Sequence, residues 1–165
     1  MDRKWAWKLG TLAGIGVYVH ASFLLLVGWV LYSEYTETGS PAAALNALVF
    51  VLAVFGCVVL HEFGHALTAR HFGIATRDIT LLPIGGVARL ERMPRDPWQE
   101  LLVALAGPAV NVAIACVLFV FLVLTDAVKP PAAFSMDLPF AVQLLGVNIS
   151  LVIFNMLPAF PMDGG

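Results

Sequence analysis

Four long stretches without a charged side chain constrain this chain more than any other feature. Between Lys8 and Glu34 lie 25 residues with no Asp, Glu, Lys or Arg, and between Glu37 and Glu62 lie 24. Between Glu100 and Asp126 lie 25, and between Asp137 and Asp163 another 25. A helix crosses a hydrocarbon core in about 20 residues. Composition agrees, since the 165 residues are 60% hydrophobic and 12% charged, about half the charge fraction of a soluble domain. Mean hydropathy is +0.89. The pattern predicts an all-α polytopic membrane protein forming a single domain, with spans near 20–36, 42–71, 97–125 and 140–158.

The basic residues give its orientation. Arg3, Lys4 and Lys8 precede the first span, and Arg70, Arg77, Arg89, Arg92 and Arg95 lie between spans two and three; only Lys129 falls on the other side. The positive-inside rule makes the first set cytoplasmic. The N-terminus is then inside, and the second span ends at the cytoplasmic face. Trp5 and Trp7 suit a membrane–water interface or simple packing. The net charge of −2, with no basic stripe or base-stacking array, gives no reason to expect nucleic acid. The apolar N-terminal run is long enough to span and has no convincing cleavage site, so it is no cleavable signal. Cys57 and Cys116 lie in apolar spans and read as small core residues.

One apolar span carries chemistry: His61-Glu62-x-x-His65. On a helix, positions 61 and 65 share a face, with Glu62 about 100° round from His61. Two imidazoles at this spacing can hold one Zn²⁺, and the carboxylate between them can reach a water activated by that metal. That is a minimal kit for amide hydrolysis. The bland alternative is a core helix with hydrogen-bonded histidines. A Glu and two His in an apolar segment are costly unless they are paired or bind a metal.

A catalytic zinc held by two His needs a third protein ligand. His71 nearly completes a metzincin pattern, but that pattern needs Gly at position 68, where this chain has Thr68. Cys57, one turn before His61, is a further possibility. His20 is a lone His, read as a satisfied side chain at the start of the first span. The best acidic candidate is Asp163, which follows two prolines at the cytoplasmic end of span four. Other carboxylates fall on the wrong side, in the basic loop or at a helix start.

Between these elements the chain changes character. Residues 9–19, with Gly10, Gly14 and Gly16, are poor helix material and predict a short extended segment before the first span. Residues 79–93 are too short and broken for a span; Gly85-Gly86 reads as a turn between two short strands, a cytoplasmic β-ribbon. Such a ribbon could take an extended substrate by strand addition, or rest on the membrane as a plain loop. Asp96-Pro97 opens the third span as N-cap and first-turn proline. Inside that span Gly107-Pro108 should kink or loosen the helix. Asn111, one turn on, either bonds between helices or donates toward a reacting carbonyl.

Three motifs occur together in order: His61-Glu-Phe-Gly-His65, Gly107-Pro-Ala-Val-Asn111 and Asn155-Met-Leu-Pro-Ala-Phe-Pro-Met-Asp163-Gly-Gly165. Together they resemble the site-2 protease family of intramembrane zinc metalloproteases, prokaryotic type, peptidase family M50. The Leu82-Pro-Ile-Gly-Gly86 ribbon and the His20 segment are similar to its prokaryotic members. The resemblance implies that His61, His65 and Asp163 bind one zinc and that Glu62 is the general base. It implies that Asn111 and Asn155 are polar catalytic helpers. The implied substrate is a transmembrane helix, cut near the cytoplasmic side of the cell membrane in regulated intramembrane proteolysis. Relatives continue beyond Asp-Gly-Gly with further spans, so residues 1–165 are expected to be a membrane-embedded metalloprotease core cut short. Substrate identity and oligomeric state are not legible.

Two other classes fit parts of the pattern. A non-catalytic membrane metal-binding or transport protein would keep His61, His65 and Asp163 but would not need Glu62. A different membrane zincin would take a Glu as third ligand, against which the Asp-Gly-Gly terminus argues.

Overall fold

The structure, a computed structural model, describes residues 5–92, 96–125 and 138–156. It contains strands β1 (Ala6–Leu12) and β2 (Ile15–His20), helices α1 (Ala21–Thr38) and α2 (Pro41–His71), strands β3 (Thr76–Leu82) and β4 (Gly85–Leu90), and helices α3 (Pro97–Leu124) and α4 (Phe140–Met156). It is mostly helical, with one small sheet.

The helix boundaries have local causes. His20 caps α1 by accepting from the Ser22 backbone N–H, and Gly39 closes α1 in the left-handed conformation. Ser40 caps α2 and Pro41 occupies its first turn. Asp96 caps α3 ahead of Pro97. At 31 and 28 residues, α2 and α3 extend about 46 and 42 Å. These two helices are long and apolar enough to cross a membrane. By contrast, α1 has 18 residues with Glu34 and Glu37 in its last turns, and α4 has 17. Pro108 lies inside α3, which continues on both sides of it as one helix.

The sheet is larger than the ribbon expected from the sequence. Residues 9–19 pair as a hairpin, and the strands line up in the order β1-β2-β3-β4. The β1–β2 and β3–β4 pairs are antiparallel and β2–β3 is parallel, the α1–α2 hairpin forming the crossover. A parallel pair cannot be joined by a tight turn, so this contact was not visible locally. The β3–β4 turn is Pro83-Ile84, whereas Gly85 and Gly86 open β4 and pair with Leu82 and Leu81.

The two faces of the sheet differ. Ile15, Val17 and Ile79 pack on Phe63 and Ala66 of α2, and Val19 and Leu81 pack with Phe23 and Phe55. The opposite face carries Tyr18, Asp78 and Arg89. Arg89 donates from Nε and Nη2 to the two Asp78 carboxylate oxygens at 2.7 and 2.6 Å. These bonds hold its guanidinium above the ordinary value. Asp78 is buried, so the pair neutralises a charge the fold has taken from water.

Helix α3 packs closely and antiparallel on α2. A Cβ on Gly64 would lie 2.6 Å from the Ala106 carbonyl oxygen, so the missing side chain is what permits this approach. Helix α4 runs parallel to α2: Phe140 meets Phe50 edge-on, and Asn148 Nδ2 reaches Cys57 Sγ at 3.5 Å. Cys57 is buried as expected, but Cys116 is exposed, on an apolar groove between α3 and α4.

Candidate active site

The second half of α2 brings His61, Glu62 and His65 together, all buried. One helical turn sets the two rings edge to face, with centroids 4.7 Å apart. Their Nε2 atoms approach to 3.0 Å. The His65 Nδ1–H donates to the Val103 carbonyl of α3 at 2.7 Å. That bond selects the tautomer whose Nε2 turns a lone pair toward His61, a familiar device for orienting a ligating imidazole.

Glycines make room for this cluster from two sides. A Cβ on Gly107 would overlap His65 Nε2 and lie 2.6 Å from His61 Nε2. A Cβ on Gly86 would lie 2.7 Å from Glu62 Cγ. The Ala88 backbone N–H of β4 donates to Glu62 Oε2 at 3.2 Å. β4 is an edge strand, so the edge of the sheet supplies a backbone donor to the carboxylate.

The pair fits zinc. Tetrahedral zinc takes imidazole nitrogens at about 2.0–2.1 Å, which separates two of them by about 3.3 Å. The observed approach is within a few tenths of an ångström of that spacing. Gly107 leaves the space directly before both nitrogens without a side chain. Among the described residues no third His, Cys, Asp or Glu joins the pair. Asp163 lies outside the described residues. The other candidates sit elsewhere: Cys57 contacts Asn148 one turn away, His71 stacks on Phe72 at the end of α2, and His20 caps α1.

Asn111 and Asn148 are fully buried amides. Neither atom of the Asn111 amide has a hydrogen-bond partner among the described residues, and the same holds for Asn148 Oδ1. Asn111 follows Gly107 by one turn on the same face. The antiparallel register of His65 on Val103 and His61 on Gly107 therefore sets it level with Cys57, one turn from the histidines. Asn155 is partly buried on α4. Seven residues beyond Asn148, in a helix parallel to α2, it is level with position 64, between the two histidines. Sequence reasoning missed two contributors, the Val103 carbonyl and the Ala88 N–H. Both are backbone groups, and no side-chain pattern signals them.

Comparison with known proteins points to one family. The model of peptidase family M50 matches residues 49–146. A Synechocystis protein that bears a zinc metalloprotease name is 36% identical over 165 residues, covering 96% of this chain and 42% of that protein. A zinc metalloprotease of Methanocaldococcus jannaschii is 35% identical over 161 residues, covering 96% of this chain and 43% of that protein. The chain thus spans less than half the length of these relatives. The solved structure of a site-2 protease from Methanocaldococcus jannaschii superposes with a TM-score of 0.69 at 33% identity, covering 98% of this chain and 68% of that one. With the His-Glu-x-x-His helix, the glycines packed against it and the small sheet at its side, the chain belongs to peptidase family M50, the site-2 proteases.

Proposed function

We propose that this chain is the catalytic core of a zinc endopeptidase that cuts membrane-spanning segments of other proteins. The observation that carries the reading is the approach of the His61 and His65 Nε2 atoms beside a Glu62 carboxylate held by the edge of the sheet. In this reading His61, His65 and Asp163 hold one zinc, which when bound polarises a peptide carbonyl and lowers the pKa of water. Glu62 takes the proton from the attacking water and delivers it to the leaving amine. The Ala88 N–H keeps that carboxylate oriented through both transfers. Asn111 and Asn155 stand within about a turn of the histidines and supply amide donors toward the developing oxyanion.

The substrate reading rests on β4. β4 is an edge strand beside Glu62, so an extended segment added along it past Ala88, whose N–H Glu62 already holds, would run its backbone past the base. A transmembrane helix would have to unwind locally to pair this way. The four helices are taken to cross the cell membrane, with the N-terminus and the His-Glu end of α2 toward the cytoplasm. The oligomeric state is left open by this reading.

Zinc content and cleavage of membrane helices, measured on the whole polypeptide, test it. Wild type should carry about one zinc per chain. Asp163→Ala should lose it. Glu62→Gln should keep the metal and lose cleavage by on the order of 10²–10⁴-fold. A metal transporter would instead keep its flux in Glu62→Gln, and full zinc retention in Asp163→Ala would move the third ligand elsewhere.

A further inference from the structure

We infer that the β1 edge of the sheet is a membrane-anchoring surface, with Trp5 and Trp7 lying at the acyl–headgroup boundary of the leaflet in which α1 begins. Register carries the argument. Trp7 pairs with Val19 and Leu12 with Ile15, so these side chains share the sheet face that packs on α2. Val19 and Ile15 are 8% and 4% exposed there, whereas Trp7 and Leu12 are 53% and 55% exposed. The difference is what lies beneath. The helices pack against β2, β3 and β4, and among the described residues β1 has β2 as its substantial neighbour. Trp5, immediately before β1, is 64% exposed. Lys8 pairs with Tyr18 on the opposite, polar face.

An apolar face beside membrane helices, continuous with their buried surface and backed by a charged face, matches a lipid surface better than water. Its depth follows from Ala6 pairing with His20, the residue that caps α1. Trp5 and Trp7 are therefore level with the start of the first helix, where indoles favour the interface. The Arg70 Nη1 donates to the Ala13 carbonyl at 3.0 Å and ties the hairpin turn to the end of α2. The anchor thereby holds the sheet that carries the Ala88 contact to Glu62.

This inference rests on the membrane reading above, and the test separates the two. The whole polypeptide is prepared with one tryptophan retained and the others changed to Phe, then reconstituted in phosphatidylcholine–phosphatidylglycerol vesicles. One protein keeps Trp7, a second keeps Trp5, and a third keeps Trp29 of α1. Lipids brominated near the headgroup should remove most Trp5 and Trp7 emission, while aqueous acrylamide leaves it. Bromines deep in the acyl chains should quench Trp29. Quenching of Trp5 and Trp7 by acrylamide but not by brominated lipid would put this face in water and overturn the inference. Protection from both quenchers would mean that protein covers the face, a second copy or another part of the polypeptide, and would overturn it equally. Loss of lipid quenching at Trp29 would instead overturn the membrane reading of α1.

Discussion

At the scale of single residues, the site depends on atoms that are missing. Gly107 and Gly86 approach the reactive side chains so closely that one methyl group enters the space those side chains occupy. The two positions act on different groups, so their substitutions should separate. Gly107→Ala intrudes on both imidazoles and should weaken zinc binding by about 10–100-fold, the effect expected when a ligand's orientation is disturbed. Metal titration of the purified protein measures this directly. Gly86→Ala presses on Glu62 and leaves the histidines alone. It should retain zinc and lower kcat by on the order of 100-fold, because a base displaced by about 1 Å no longer reaches its proton. Equal zinc loss in both variants would show that the two glycines do not act independently.

At the scale of elements, the sheet acts as a brace for α2. Its inner face fits Phe63 and Ala66, and its edge strand β4 reaches Glu62. The Asp78–Arg89 pair fastens β3 to β4 from the other side. Arg89→Met removes the guanidinium paired with a buried carboxylate and should cost about 3 kcal/mol of stability. A lowered unfolding midpoint in detergent checks this, and Asp78→Asn combined with Arg89→Met should recover part of it. The helix termini and the presence of a strand pair after α2 were legible from local signals. Ser40-Pro41, Asp96-Pro97 and Gly73 each act within a few residues, as their chemistry predicts. The joining of residues 6–20 to residues 76–90 was not legible, because a parallel contact across two helices leaves no mark on either segment. The turn at Pro83-Ile84 was misread for a related reason. Two adjacent glycines look like a turn, but Gly86 is required by the Glu62 carboxylate packed against it.

At the scale of the whole molecule, the long helices and the clustered basic residues predict one topology. With Cys57 and Cys116 replaced by Ala, a cysteine at Arg92 should react with a membrane-impermeant maleimide only from the cytoplasmic side. A cysteine at Thr38 should react only from the other side. The reverse pattern would invert the orientation, and labelling of both from one side would remove α2 from the membrane.

The sequence by itself determined the apolar helices, the His-Glu-x-x-His spacing and the family. These depend on charge-free length, on helical period and on short motifs, all of which are local along the chain. Only the tertiary structure decided how the reactive groups are held. The Val103 carbonyl that sets the His65 tautomer comes from another helix, and the Ala88 N–H that holds Glu62 comes from a strand edge. Every residue carries such backbone groups, so their identity conveys nothing in a sequence. Packing alone selects which of them meets a catalytic side chain.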